Sequence, residues 1–184
     1  VVTQPDRPQG RSRSTLIPPP VKLLAESASI PVLQPERPVG DVFLMSLRRL
    51  DAALGVVVAY GHILKPEVLA VPASGMINVH ASLLPRLRGA APIQWAIANG
   101  DRETGVSVMQ MEAGLDSGPV LHRLTTAIDI DDTAGTLTAR LADLGATALV
   151  EAVACMGAGA VTPAPQDHSA ATFAPKIDST DRKS

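Results

Sequence analysis

The run Leu54 to Ala59, LGVVVA, is continuously apolar and heavy in valine, and a second apolar run, Gly75 to Val79, follows after one or two turns of helix at Pro66 to Ala70. Unbroken valine-rich runs suit strands covered on both faces, and a strand-helix-strand unit lays two of them side by side in a parallel sheet. An open, mostly parallel α/β sheet with flanking helices is therefore expected. Further elements extend the pattern. Val21 to Ser29 and Gly40 to Ala53 have helical apolar spacing, and Ile30 to Gln34 and the tail Val1 to Thr3 read as short strands. Pro92 to Asn99 is a helix with Pro at its start and Gly100 at its end. Thr104 to Met111 and Pro119 to Ile128 read as a hairpin around AGLDSGP. Asp131-Asp132-Thr133 opens a long helix to about Met156, with Leu137, Leu141, Leu144, Leu149 and Val153 as its expected core positions.

The chemistry is expected where the second apolar run ends. MINVHAS, from Met76 to Ser82, releases Asn78, His80 and Ser82 at alternate positions, which places an amide, an imidazole and a hydroxyl on one face. In open α/β sheets ligands bind at the carboxyl ends of strands. An imidazole beside a carboxamide can donate hydrogen bonds to a carbonyl oxygen that becomes an oxyanion. Asp116, in a turn flanked by Gly114 and Gly118, is the candidate carboxylate to orient His80 and carry a proton. Each residue singly has an ordinary explanation, a capped strand-end His or a turn Asp, but no other cluster in the chain competes with the three together.

Composition narrows the class. The chain has 184 residues, 46% of them hydrophobic, enough for one domain with a substantial core. Sixteen Lys and Arg against 18 Asp and Glu leave a net charge of −2, so nucleic-acid binding requires a local patch. Gln4 to Pro20 holds Arg7, Arg11 and Arg13 and cannot be regular structure; on composition a solvated loop is somewhat ahead of a phosphate-gripping arm. The single cysteine, Cys155, reads as a buried thiol and a cytoplasmic location is expected. No apolar run is long enough to span a membrane. His62, His122 and His168 lack partners at metal spacing, and neither a Gly-rich phosphate loop nor a nucleophile elbow around Ser82 is present; no metal is expected.

The stretch NVHASLLPRLRGAAPIQ followed by ETGVSVMQMEAGLDSGPVL resembles the folate-dependent formyltransferase family, whose pattern is Asn-x-His, SLLPxxRG and an Asp in a GLDTG-like turn. VVTQPDRPQGR, PPPVK, VVVAYGHIL and ATFAPKI further resemble the members that act on methionyl-tRNA. The resemblance implies a Rossmann-like formyltransferase fold. It implies transfer of a formyl group from 10-formyltetrahydrofolate to the α-amino group of initiator methionyl-tRNA, by a monomer. Asn78, His80 and Asp116 would be catalytic. Folate would lie against Val57, Val58, Ala59, Tyr60, Gly61, Ser82, Leu83, Leu84, Pro85, Gly114 and Leu115. Transfer RNA would meet Arg7, Arg11, Arg13, Lys22 and Arg88, which turns the Arg-bearing segment from inert loop to binding arm.

By the same resemblance, residues 1–162 are expected to form a catalytic domain without the family's first strand, and 163–184 a linker toward a C-terminal β-barrel domain that this chain does not include. Two departures stand out: Ser12 and Ser14 replace a more usual Gly and basic residue, and Trp95 replaces a usual Arg. Competing expectations are a formyltransferase acting on another amine such as a sugar nucleotide, a formyltetrahydrofolate hydrolase, and an inactive folate- or RNA-binding remnant. The Arg-bearing segment from Asp6 to Lys22 discriminates, since the first two relatives have less reason to keep it.

Overall fold

The computed structural model describes residues 1–8 and 15–177. Two two-residue strands, β1 (Arg7–Pro8) and β2 (Leu16–Ile17), pair antiparallel on the surface, so the segment expected to be irregular begins and ends in a short ladder. Then come α1 (Pro20–Ser27), α2 (Asp41–Arg48), β3 (Gly55–Val58), α3 (Pro66–Leu69) and β4 (Met76–His80). The chain continues through α4 (Pro92–Ala98), β5 (Glu103–Gln110), β6 (Val120–Ala127) and α5 (Ala134–Gly157), followed by one 3-10 turn at His168–Ala170. The expected strands at Val1 to Thr3 and Ile30 to Gln34 reduce to a single parallel bridge, Val2 to Leu33.

Strands β3 to β6 form one sheet in sequence order. Only the β3–β4 pairing, across an α3 crossover, is parallel; β4–β5 and β5–β6 are antiparallel. The open α/β sheet with flanking helices is as expected, but it is mixed rather than mostly parallel. The reason lies in the connections. The hairpin between β5 and β6 requires an antiparallel ladder, and the SLLPRLRG loop and α4 return the chain so that β5 also runs opposite to β4.

Helix α5 covers one face. Its buried line is Leu137, Leu141, Gly145, Ala148 and Ala152, packed on Ile77, Val106 and Val108. Leu144 and Leu149 flank this line and Val153 is 39% exposed, so small residues take centre positions where leucines were expected. The distance explains it: a Cβ on Gly145 would stand only 3.2 Å from the Val79 side chain, so the helix lies too close to the sheet for a larger residue. Cys155, expected buried, is exposed because it lies off this line.

The opposite face is covered at its near end by α2 and α3 through Phe43, Leu44, Val68 and Leu69 against Met76. Helix α5 packs on β4, β5 and β6, which leaves β3 less protected. Val56 and Val58 are accordingly 45% and 55% exposed, and β3 is not covered on both faces as its valines predict. No helix among the described residues is long and apolar enough to cross a membrane.

The segment after α5 is extended, as expected, and it is docked. Ala164 bridges Val120, and Phe173 bridges Arg88. Arg88 N–H donates to Thr172 O at 2.8 Å, Ala174 N–H to Arg88 O at 2.7 Å, and the Trp95 indole N–H to Pro175 O at 2.8 Å. Residues 163–177 therefore form a strap across the loop that follows β4.

Candidate active site

Alternation along β4 sends Ile77 and Val79 into the α5 core and turns Met76, Asn78 and His80 to the other face. The register sets Asn78 opposite Val57 on one side and Met109 on the other, and His80 opposite Ser107. Because β3 and β4 are parallel, the end of β3 and His80 share one edge of the sheet.

His80 is 5% exposed. Its Nε2 lies 2.9 Å from Leu87 O. A carbonyl only accepts, so Nε2 carries the proton and Nδ1 is the ring atom turned to the site. Asp116 Oδ2 faces Nδ1 at 3.7 Å, beyond hydrogen-bond reach, and accepts instead from Gly89 N–H at 2.8 Å. The ring is thus held by a backbone carbonyl, not by Asp116 as expected. Leu87 and Asp116 both have left-handed backbones, at φ of +57° and +46°. Such strain in residues other than glycine persists where the surrounding structure fixes it.

Asp116 does not reach His80 along the strand edge. Strand β5 runs antiparallel to β4, so Gln110 at its end lies beside Ile77, several residues back from His80. The connection from Met111 to Pro119 must fold back over the sheet face to bring the carboxylate to the imidazole.

The loop after His80 is pinned by buried polar groups. Ser107, fully buried, donates from its hydroxyl to Ser82 O at 2.7 Å and accepts from Leu84 N–H at 3.1 Å. Ser82 Oγ donates to Arg86 O, and the Arg123 guanidinium to Leu84 O at 2.7 Å. Leu83 packs where a side chain on Gly105 would otherwise be, and Pro85 O accepts from Thr172 N–H. Gly114 and Leu115 are exposed, Leu115 by 57%.

Two residues expected to contact RNA are committed elsewhere. Arg88 is 5% exposed and donates from Nε and Nη2 to Gln166 Oε1 at 3.1 and 2.6 Å, and from Nη2 to His168 Nδ1 at 3.2 Å. It acts as an internal strut, with Nε and Nη2 spent on the strap and the side chain almost wholly covered. Lys22 is bound to Asp6 at 2.8 Å. A hydrogen bond from Gln34, then Lys22, holds the Asp6 carboxyl below its ordinary value, so the ion pair is formed. Arg7 remains exposed, with Nη2 3.0 Å from Gln4 Oε1; Arg11 and Arg13 lie outside the described residues.

A cavity of about 640 Å³ runs beside β3, between it and Val1–Gln4, lined by Val57, Val58, Ala59 and Tyr60 among others. Asn78, His80 and Asp116 do not line it. Ala59 is left-handed at φ +46°, and Gly61, at +78°, completes the turn. The Tyr60 hydroxyl and His62 Nε2 are buried with no hydrogen-bond partner among the described residues, and burial pushes the Tyr60 pKa up.

Sequence reasoning missed Ser107, Arg123, the Leu87 carbonyl and Gln166. A serine in an apolar strand and a glutamine in a Pro/Ala segment carry no pattern that separates them from ordinary polar residues.

A carboxamide and an imidazole thus share one strand face, with a carboxylate folded back to 3.7 Å from the imidazole. The comparisons name the family: residues 1–153 match the family model described as "Formyl transferase", and the chain belongs to the formyl transferase family. It is 56% identical over 177 residues to the methionyl-tRNA formyltransferase of Stutzerimonas stutzeri (strain A1501), covering 96% of this chain and 56% of that protein. To that of Synechococcus sp. (strain JA-3-3Ab) it is 52% identical over 182 residues, 98% of this chain and 56% of that protein. The chain thus spans a little over half the length of these relatives.

Among solved structures, phosphoribosylglycinamide formyltransferase from Bacillus halodurans is similar with a TM-score of 0.60 and 25% identity over 66% of each chain. The formyltransferase PseJ from Anoxybacillus kamchatkensis, solved with a sugar nucleotide and tetrahydrofolate, gives 0.66 at 22% identity, covering 95% of this chain and 84% of that one. These likenesses support the Rossmann-like α/β fold.

Proposed function

We propose that the chain carries the catalytic site for transfer of a formyl group from 10-formyltetrahydrofolate to the α-amino group of initiator methionyl-tRNA. One observation carries the reading: Asp116 Oδ2 stands 3.7 Å from His80 Nδ1, next to Asn78 on one strand face, in a chain 56% identical to a methionyl-tRNA formyltransferase.

In this reading the amine nitrogen attacks the formyl carbon and a new C–N bond forms. The carbonyl oxygen becomes an oxyanion, met by the Asn78 amide and by a proton on His80 Nδ1. His80 Nε2–H is spent on Leu87 O, so the second N–H exists only in the imidazolium, whose charge Asp116 faces across a short gap. Collapse breaks the bond to folate N10, and the proton shed by the amine passes through Asp116 and His80 to that nitrogen. The reading requires no metal, since charge gathers on one oxygen that side-chain donors meet.

The folate ring is assigned to Val57, Val58, Ala59, Tyr60 and Gly61 at the edge shared with His80, with Ser82, Leu83, Leu84, Pro85, Gly114 and Leu115 around the opening. The shared edge of β3 and β4 and the unpartnered Tyr60 hydroxyl support this placement. Transfer RNA is assigned to the Arg7, Arg11 and Arg13 arm. A monomer working in the cytoplasm completes the proposal, as the family resemblance implies.

The test is an assay of formyl transfer to methionyl-tRNA on the full-length gene product that carries this sequence. His80→Ala should lower kcat by about 10²- to 10⁴-fold while folate binding persists. A folded, folate-binding product with no transfer activity, or an unchanged rate in His80→Ala, would sink the reading.

A further inference from the structure

We infer that Gln166, on the strap, is a positioning residue that sets the Asp116 carboxylate against His80; its role in turnover rests on the function proposed above. Gln166 is 6% exposed and every polar position of its amide is used. Oε1 accepts from Arg88 Nε and Nη2 at 3.1 and 2.6 Å, and Nε2 donates to Asp116 O at 2.9 Å and Gly118 O at 2.7 Å.

The orientation of the amide is fixed by chemistry. A guanidinium only donates and a carbonyl only accepts, so oxygen must face Arg88 and nitrogen must face the turn. Gln166 therefore reads a donor on one side and acceptors on the other.

Those two acceptors belong to the Asp116–Ser117 and Gly118–Pro119 peptides, and the bonds fix both planes within the turn. That is where support is needed: Asp116 is left-handed at φ +46°, in a connection that folds back over the sheet instead of following a strand edge. Asp is among the few residues besides glycine that adopt this conformation singly, and the two bonds from Gln166 hold the turn in it. With the backbone held, the carboxylate accepts from Gly89 N–H and faces His80. Gly89 follows Arg88 directly. A ring of contacts thus closes from the Arg88 guanidinium through Gln166 and the Asp116 backbone to the Asp116 carboxylate, then through Gly89 back to Arg88. It joins the His80 loop to the Asp116 turn by a group from neither.

Gln166→Glu separates positioning from anchoring. The glutamate still accepts from Arg88, so the strap stays docked, but it sets an oxygen against the carbonyls of Asp116 and Gly118 and releases the turn. The direct readout is the Gly89 amide proton in a ¹H–¹⁵N spectrum of the selectively labelled protein, because that proton is bonded to the Asp116 carboxylate. In Gln166→Glu it should move upfield. In the assay kcat should fall ~10- to 100-fold with the KM for folate unchanged, the expected cost of misplacing a reacting group. Gln166→Leu, which strands the Arg88 charge, should lower the melting temperature as well as move Gly89.

A Gly89 amide that stays in place in Gln166→Glu, whatever the activity does, overturns the proposal and leaves Gln166 as a strap anchor. If Gly89 moves while kcat holds, the positioning stands and the assignment of Asp116 to formyl transfer falls.

Discussion

At the scale of single residues, the site depends on two kinds of constraint, chemical identity at Asp116 and shape at Gly89. Asp116→Asn keeps an oxygen that can accept from Gly89 N–H but removes the negative charge facing His80 Nδ1. The proton path then fails although the turn survives. Initial rates of formyl transfer should show kcat reduced by about 10²-fold or more with the KM for folate retained. Gly89 has φ +116°, and a Cβ there would lie 2.9 Å from Ala174 O on the strap. Gly89→Ala should therefore cost on the order of 1–3 kcal/mol from backbone strain, with the strap pushed outward in addition. Urea unfolding measures it, and a midpoint equal to the parent's would show that the strap yields freely. Asn78, His80 and Asp116 were legible because polar residues at a strand end and in a Gly-flanked turn break a hydrophobic pattern. The Leu87 carbonyl was not, since any residue supplies a carbonyl and only the left-handed turn at Leu87 aims this one at His80.

Among the elements, α5 shows where sequence patterns suffice and where they stop. Its start was legible from Asp131-Asp132-Thr133: Thr133 Oγ1 accepts from Thr136 N–H at 3.2 Å while Thr136 Oγ1 accepts from Thr133 N–H at 3.0 Å. This reciprocal cap satisfies donors that the first turn leaves free. The buried face was legible at Leu137 and Leu141 and lost beyond them, since pattern reading favours large apolar residues and the close sheet selects Gly145, Ala148 and Ala152. The helix start also carries a pH dependence. Hydrogen bonds from the Arg140 guanidinium, then from Asp129 N–H and Thr136 Oγ1, hold the Asp132 carboxyl below its ordinary value of 3.8. A carboxyl whose pKa is lower folded than unfolded adds stability fully present above 3.8 and lost as pH falls through the lower folded value. Asp132→Asn should therefore reduce stability at neutral pH and flatten its fall between about pH 5 and pH 2. Denaturant midpoints taken across that range check it, and parallel curves for the two proteins would contradict it.

For the molecule as a whole, the sheet and the strap make different demands on the chain. The sheet with α5 is a hydrophobic unit whose strands and helices were legible from periodicity. Its mixed direction was less so, because the loop and α4 between β4 and β5 decide whether the next strand returns parallel or antiparallel. The strap was legible only as an extended segment. It is docked by backbone bridges to Arg88 and Val120, by Trp95 and by the Gln166 amide, and a Pro/Ala-rich segment bears no periodic sign of such partners. Removal separates the two layers. Ending the chain at Thr162 leaves Leu137, Leu141, Val106 and Val108 with their packing, but it strips Arg88 of Gln166 and uncovers Ala174's contacts at Gly89 and Ala91. Arg88 then loses its bonds to Gln166 and His168 together with the backbone bonds to Thr172 and Ala174, so the loss should reach about 3 kcal/mol or more. It should fall on one side of the protein. Amide exchange in β5 and β6 should stay slow while exchange at Leu87 to Ala91 accelerates, because local opening follows local contacts. Uniform acceleration throughout would mean that the strap is part of one cooperative core. Unchanged exchange at Gly89 would mean that the Asp116 turn holds without it.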